Sequence, residues 1–306
     1  QGRRSGLTWR RAGAKMSAGP SKGAVLIPFF RPLRAVAGVL LAVCVTLVIA
    51  TSASAADRDR LRAFLTVTGF DVALESIKLS AEDAPRMLGL EAQDFGAAWT
   101  LMAGDVFDVK DMQADAMTIL GQTLSDEALS HAADFYASDL GQRLVEAENA
   151  SHMRDGDEKR GEGGELLAEL QDTDPERIVI LQRMMDAIGS DEQSLRAANE
   201  LEIRFLMAAQ QAGVIMLRVD EEGLRAAQAE RAHEVIESMR LSGMAGSAAT
   251  YRDFSNEDLE AYTEALEHPL MQEVYELMNA VQYEIMANRF EEVADRLGRM
   301  SPGQEL

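Results

Sequence analysis

Three side chains that can take part in chemistry lie close together in the middle of the chain: the phenol of Tyr136, the hydroxyl of Ser138 and the guanidinium of Arg143. A phenol donates or accepts a hydrogen bond, and a guanidinium binds carboxylates or phosphates with a planar fork of donors. Tyr136 and Arg143 are seven residues apart across a predicted break between two helices, so both can reach one groove. These three residues are the candidate binding residues, and no residue is predicted to be catalytic.

The same residues also suit a purely structural role, and the sequence favours this interpretation. Phe135 and Tyr136 can pack inside a helix hairpin, because aromatic pairs at such a place usually belong to the core. Ser138 is a good helix N-cap, and Gly141 allows two helices to approach closely. The two interpretations differ in whether Tyr136 and Arg143 line a cleft, as an enzyme would require.

The residue pattern gives little support for metal or cofactor chemistry. Glu230 and His233 form the Glu-x-x-His element of helical di-iron sites, but such sites need two of these elements and further glutamates. Glu237 lies one turn beyond His233, so solvated pairing is the simpler interpretation. The single cysteine, Cys44, lies in an apolar N-terminal segment. We predict neither a metal nor a cofactor, and the absence of common hydrolase motifs favours a protein that is not an enzyme.

Residues 1–55 differ in charge from the rest of the chain. They contain eight basic residues and no acidic ones, whereas 56–306 contain 22 basic and 51 acidic residues. Within the basic segment an uncharged apolar run precedes a small-x-small motif that ends at Ala55. This order is typical of a secretory signal peptide cleaved between Ala55 and Ala56, and it predicts a periplasmic protein. The alternative is a retained inner-membrane anchor, since the uncharged stretch that begins at Ala35 is long enough to span a bilayer.

Good helix formers dominate the rest of the chain, and alternation of strand type is rare, so the sequence predicts an all-α fold. Two tandem modules of packed helix hairpins are predicted at 56–153 and 175–300, with a tail at 301–306. Between the modules, 154–174 is charged and rich in glycine. This composition predicts a linker or mobile loop that contains at most one short helix at Glu165–Leu170.

The prediction of two modules rests on an internal repeat. Leu124–Leu129 aligns with Phe254–Leu259 at a shift of 130 residues, and the alignment continues without gaps into the next helix. Each copy begins with a serine N-cap followed by polar and acidic residues. The first copy is predicted to break near Ser138, and the second at His268 and Pro269. The alternative is two unrelated amphipathic helix pairs, because caps of this kind are common.

An acid-rich helix in the first copy leads into an aromatic pair, a serine, a glycine and a basic residue at fixed spacing. These are Phe135, Tyr136, Ser138, Gly141 and Arg143. With this motif, Leu124–Leu144 resembles the DUF2059 family of exported bacterial proteins of unknown function, and the resemblance extends over roughly residues 58–150. The motif is degenerate in the second copy. The resemblance implies a small exported helical domain and no known chemistry.

The charge of the chain limits its partners. A net charge of −21 argues against a nucleic-acid-binding protein, since phosphate contacts need clustered lysine and arginine. We expect a non-catalytic binding or scaffold protein of the cell envelope with an envelope protein as its partner, and the acidic charge of the chain favours a basic partner. Contact with the membrane is expected only if the N-terminal segment is retained, because anionic lipids repel an acidic surface.

Overall fold

Helices account for the fold. This computed structural model describes residues 57–90 and 95–300, and these ranges contain helices and no β-strand. The prediction of an all-α fold is therefore confirmed. In chain order the elements are α1 (57–67), α2 (Phe70–Ser76), a 3-10 helix (Ile77–Glu82), α3 (Asp83–Met87), α4 (Gly96–Val106), α5 (Val109–Thr123), α6 (Asp126–Tyr136), α7 (Asp139–His152), α8 (Gly156–Thr173), α9 (Pro175–Ile188), α10 (Asp191–Gln211), α11 (Glu221–Thr250), α12 (Asn256–Leu266) and α13 (Pro269–Arg299).

The C-terminal helix α13 is the central element of the fold. It has 31 residues and a length of about 46 Å, and it contacts α4, α5, α6, α9, α10 and α12. Its buried residues, among them Met271, Val281 and Leu297, recur mostly at intervals of three and four. Because helices from both predicted modules cover this stripe, the modules share one hydrophobic core. The two predicted modules therefore do not form two separate cores within the described residues.

The two predicted hairpins have the same local geometry. Helices α6 and α12 each contain 11 residues, each starts at a serine N-cap, and each is followed by a two-residue break. At the first break the hydroxyl of Ser138 accepts a hydrogen bond from the amide of Gly141 at 3.1 Å. At the second, Nδ1 of His268 accepts one from the amide of Leu270 at 3.2 Å. Different side chains thus cap equivalent helix starts, as expected for a diverged repeat.

The stretch 154–174 is not the predicted linker, because most of it forms helix α8. Asp155 starts the helix by accepting two backbone hydrogen bonds, at 2.9 and 3.0 Å. Helix α8 packs along α11, and a Cβ placed on Gly163 would lie 2.9 Å from the Cα of Ala245 and closer still to its carbonyl oxygen. Glycine in a polar stretch usually indicates a loop. Here Gly163 is needed instead for the close approach of two helices.

The predicted signal peptide at 1–55 and the predicted tail at 301–306 lie outside the described residues. The cleavage site between Ala55 and Ala56 lies there as well. Within the part of the chain that the structure describes, no helix combines the length and the apolar character needed to cross a bilayer.

Candidate functional site

The hairpin of α6 and α7 determines the position of Tyr136. Tyr136 is the last residue of α6, and Ser138 caps the start of α7 two residues later. Gly141 lies against the end of α6, where a Cβ would come within 2.6 Å of the Cα of Tyr136. The side-chain amide of Gln142 donates a hydrogen bond of 2.6 Å to the carbonyl of Tyr136. The motif is therefore the sequence of a tight corner between two helices, and this corner directs Tyr136 inward.

Tyr136 belongs to a cluster that contains four of the five tyrosines in the chain. Tyr136 and Tyr262 are each only 1% exposed, and their hydroxyl oxygens are 3.0 Å apart. The hydroxyl of Tyr275 lies 2.9 Å from that of Tyr262 and also contacts that of Tyr136. These three residues, which we call the tyrosine triangle, join α6, α12 and α13 through their hydroxyl groups.

Glu148 of α7 connects the tyrosine triangle to the fourth tyrosine. Its Oε1 accepts hydrogen bonds from the hydroxyls of Tyr251 at 2.6 Å and Tyr262 at 2.8 Å. Burial raises the pKa of Glu148, and the two hydrogen bonds oppose that shift in part. No hydrogen bond from the described residues reaches Oε2. Because Glu148 is only half-buried and lines a cavity, this second oxygen can receive a donor from a ligand.

The cavity beside Glu148 has a volume of about 500 Å³. This size is within the ordinary range of pockets for small molecules. Residues of α2, α7, α8, α9, α11, α12 and α13 surround it, so the site exists only when both halves of the chain are folded together. We call it the Glu148 cavity. Its apolar lining includes Phe70, Met184, Ile188, Leu266 and Met278, and its polar lining includes Glu148, Ser151, Lys159, Thr250 and Tyr251.

A second polar group lies one turn along α7 from the carboxyl group. The hydroxyl of Ser151 is 3.1 Å from Nζ of Lys159 and 2.7 Å from the hydroxyl of Thr250. Because Thr250 donates its proton to the carbonyl of Gly246 at 2.7 Å, Ser151 donates to Thr250, and Lys159 donates to Ser151. Burial lowers the pKa of Lys159, and two neighbouring arginines lower it further. Lys159 nevertheless donates a hydrogen bond to Ser151. A catalytic Ser–Lys pair would instead need Lys159 to accept the proton of the serine hydroxyl as a base.

The structure does not bring the three predicted site residues to one groove. The guanidinium of Arg143 lies near the surface, where it makes two hydrogen bonds of 2.8 and 3.1 Å to the carboxylate of Asp258. It also lies 5.5 Å from the ring centroid of Phe254. The hydroxyl of Ser138 caps α7, and Tyr136 is buried in the tyrosine triangle. A binding role for Tyr136, Ser138 or Arg143 stays a prediction.

The residues that complete the site, above all Glu148, were not among the sequence candidates. One local signal could have identified it. Glu148 follows the buried Leu144 by four positions, and both therefore lie on the same face of α7. An acidic residue on an apolar face indicates a specific partner, because a buried carboxylate is costly without one. The partners, Tyr251 and Tyr262, are more than a hundred residues away in the sequence, and no local pattern points to them.

A larger cleft of about 610 Å³ lies between α9, α10 and α13. Its arginine, Arg204, is already paired with Glu284 at 2.8 Å and Glu291 at 2.6 Å. No group of three or more histidine, cysteine, aspartate or glutamate side chains within 57–90 and 95–300 could hold a metal ion. The side chain of His233 is 91% exposed, and its Nε2 lies 4.0 Å from Oε1 of Glu237. The Glu148 cavity is therefore the best candidate for a functional site.

Comparison with known proteins gives one result. No match was found among curated proteins or among solved structures. A family model matches from α5 through the hairpin into α8, which confirms the resemblance at the hairpin. Residues 58–109 of the predicted resemblance lie outside the matched range. Residues 110–167, which include Tyr136, Glu148 and Lys159, match the family described as an uncharacterized protein conserved in bacteria (DUF2059).

Proposed function

We propose that this chain is an exported protein of the cell envelope that binds a small ligand in the Glu148 cavity without transforming it. The observation that carries this proposal is the open Oε2 of Glu148, a carboxyl oxygen on the wall of a cavity of about 500 Å³. This oxygen is accessible from the cavity and receives no donor from the described residues, so a ligand that supplies one forms a new hydrogen bond there.

Binding fits the arrangement better than catalysis. The hydroxyls of the tyrosine triangle are hydrogen-bonded to one another and to Glu148, and Ser151 donates its proton to Thr250 rather than to Lys159. A nucleophile needs a base that accepts its proton. The described polar groups instead resemble a fixed set of donors and acceptors, which orients a ligand and holds it.

Export is supported by the sequence of residues 1–55, with its basic flank, apolar run and small-x-small motif before Ala56. N-terminal sequencing of the protein recovered from the periplasmic fraction tests this part of the proposal. A mature chain that starts at Ala56 is the expected result. An intact N-terminal segment in the membrane fraction would show an anchored protein instead.

A cavity-filling variant tests the binding proposal. Gly246 lines the cavity, and a Cβ there meets only Lys159 Cε, at 3.9 Å, so Gly246→Met places a long side chain in the space. Gly164→Met is the matched control, because Gly164 faces open space on α8. Thermal unfolding is measured with a panel of amines, amino acids, carboxylic acids, sugars and nucleosides.

At a concentration one hundred times its dissociation constant, a ligand of the folded state adds about 2.7 kcal/mol of stability. We expect at least one class of compound to raise the melting temperature of the wild-type protein and of Gly164→Met, but not that of Gly246→Met. A shift that persists in Gly246→Met would place the ligand elsewhere, and a panel without any shift would contradict the proposal.

A further inference from the structure

Two charged side chains of the Glu148 cavity have hydrogen-bonding capacity left over. Glu148 uses Oε1 for two tyrosine hydroxyls, and no described residue donates to its Oε2. Lys159 directs Nζ to the backbone carbonyl of Ser151 at 3.3 Å and to its hydroxyl at 3.1 Å. An ammonium group has three donors, so one donor of Lys159 remains. The cavity thus offers one acceptor of a carboxyl group and one donor of an ammonium group.

Glu148 and the residue that Lys159 binds, Ser151, are about one helical turn apart on α7. Glu148 and Ser151 are three residues apart on α7, which corresponds to a rise of about 4.5 Å. Lys159 binds Ser151. On the α11 side, the C-cap residue Tyr251 contacts Glu148, and Thr250, the last residue of α11, contacts Ser151. Apolar side chains, including Met184 and Met278, form other parts of the wall.

We propose that the ligand of the Glu148 cavity is a small zwitterion, whose ammonium group binds Oε2 of Glu148 and whose carboxylate binds Lys159. This inference rests on the proposed function. A simple organic cation would satisfy Glu148 but would add positive charge near Lys159 and leave its third donor unused. A simple carboxylate would do the opposite. A molecule with both charges about one helical turn apart satisfies both groups, and methylene groups between its charges can contact the apolar wall.

Three probes of matched length test the proposal: 4-aminobutanoate, n-butylammonium and butanoate. Isothermal titration calorimetry and protein-observed NMR measure their dissociation constants for the purified protein. We expect 4-aminobutanoate to bind at least about tenfold more tightly than either singly charged probe, because it makes two charge-assisted hydrogen bonds where each of the others makes one. Glycine, whose charges are closer together, is expected to bind more weakly than 4-aminobutanoate.

Two variants identify the groups that bind the probe. We expect Glu148→Gln and Lys159→Met to weaken the binding of 4-aminobutanoate by about 10- to 100-fold, the effect of losing one charge-assisted hydrogen bond. Their matched controls, Glu146→Gln on the exposed part of α7 and Lys110→Met on α5, are expected to leave it unchanged. The comparison of probes in the wild-type protein does not depend on whether either variant folds.

The possible failures are distinguishable. Equal binding of n-butylammonium and 4-aminobutanoate would overturn the proposal in favour of a simple cation. If neither compound binds, but sugars or nucleosides raise the melting temperature of the wild-type protein and not that of Gly246→Met, the zwitterion proposal is refuted and the proposed function stays intact. Binding that survives both Glu148→Gln and Lys159→Met would place the probe outside the cavity and also refute it.

Discussion

The close approach of α8 and α11 at Gly163 provides the sharpest test of the fold. In Gly163→Ala the new Cβ would lie 2.9 Å from the Cα of Ala245 and closer still to its carbonyl oxygen. Both are backbone atoms of a helix, so the clash can be relieved only by separating the two helices. Such overpacking costs about 1–3 kcal/mol. Gly164→Ala is the matched control, because its Cβ meets nothing within 4 Å.

Both substitutions gain about 1 kcal/mol of helix propensity, so the difference between them isolates the contact with Ala245. We expect Gly164→Ala to be slightly more stable than the wild type, and Gly163→Ala to be less stable than Gly164→Ala by about 1–3 kcal/mol. Urea unfolding followed by circular dichroism measures the free energy of unfolding of each protein. Equal stabilities would refute the reasoning, because a mobile linker at 154–174 would tolerate both alanines alike.

Three further predictions concern buried or partly buried polar groups. Arg177 is buried and donates hydrogen bonds to the carbonyls of Phe254 at 2.8 Å and Tyr251 at 2.6 Å. We therefore expect Arg177→Lys to lower the free energy of unfolding, measured by urea titration, by about 2–4 kcal/mol. An unchanged free energy of unfolding would contradict this prediction. The raised pKa of Glu148 means that its stabilising contribution is complete below about pH 4.5 and is lost as the pH rises through the folded-state pKa. Glu148→Gln keeps an acceptor for the tyrosines, so its stability relative to the wild type should increase between pH 4 and pH 8, and a pH-independent difference would argue against a raised pKa. Burial, followed by electrostatic repulsion from His268, whose ring centroid lies 4.1 Å from that of His131, lowers the pKa of His131. Stability should therefore fall as the pH drops through 6.5, and His131→Gln should weaken this dependence in unfolding measured from pH 5 to pH 8.

Much of the local architecture could be predicted from the sequence because helix caps and apolar stripes are local signals. Ser125 and Ser255 start helices of equal length, and Ser138 caps α7, all at the predicted positions. The buried stripe of α13 also follows from the spacing of its apolar residues. These features depend on neighbours within a few residues, and a single sequence contains that information.

Helix α8 shows where the same reasoning fails. Glycines and charges at 154–174 have the composition of a loop, and their meaning depends on what lies opposite them. The carbonyl of Ala245 opposite Gly163 is part of a helix that begins some 60 residues later in the chain. Composition cannot distinguish a glycine that permits a turn from one that permits a contact between helices.

The candidate site was predictable only in part, for the same reason. The sequence by itself determined the all-α class, the helix caps, the charge of the chain and the corner that directs Tyr136 inward. Only the tertiary structure decided that Tyr136 and Arg143 separate, one into the core and the other onto Asp258. It also decided that Glu148 meets tyrosines from α12 and the end of α11 beside a cavity. Hydrogen bonds between distant helices depend on how those helices pack, and the pattern within each helix records only which face is buried.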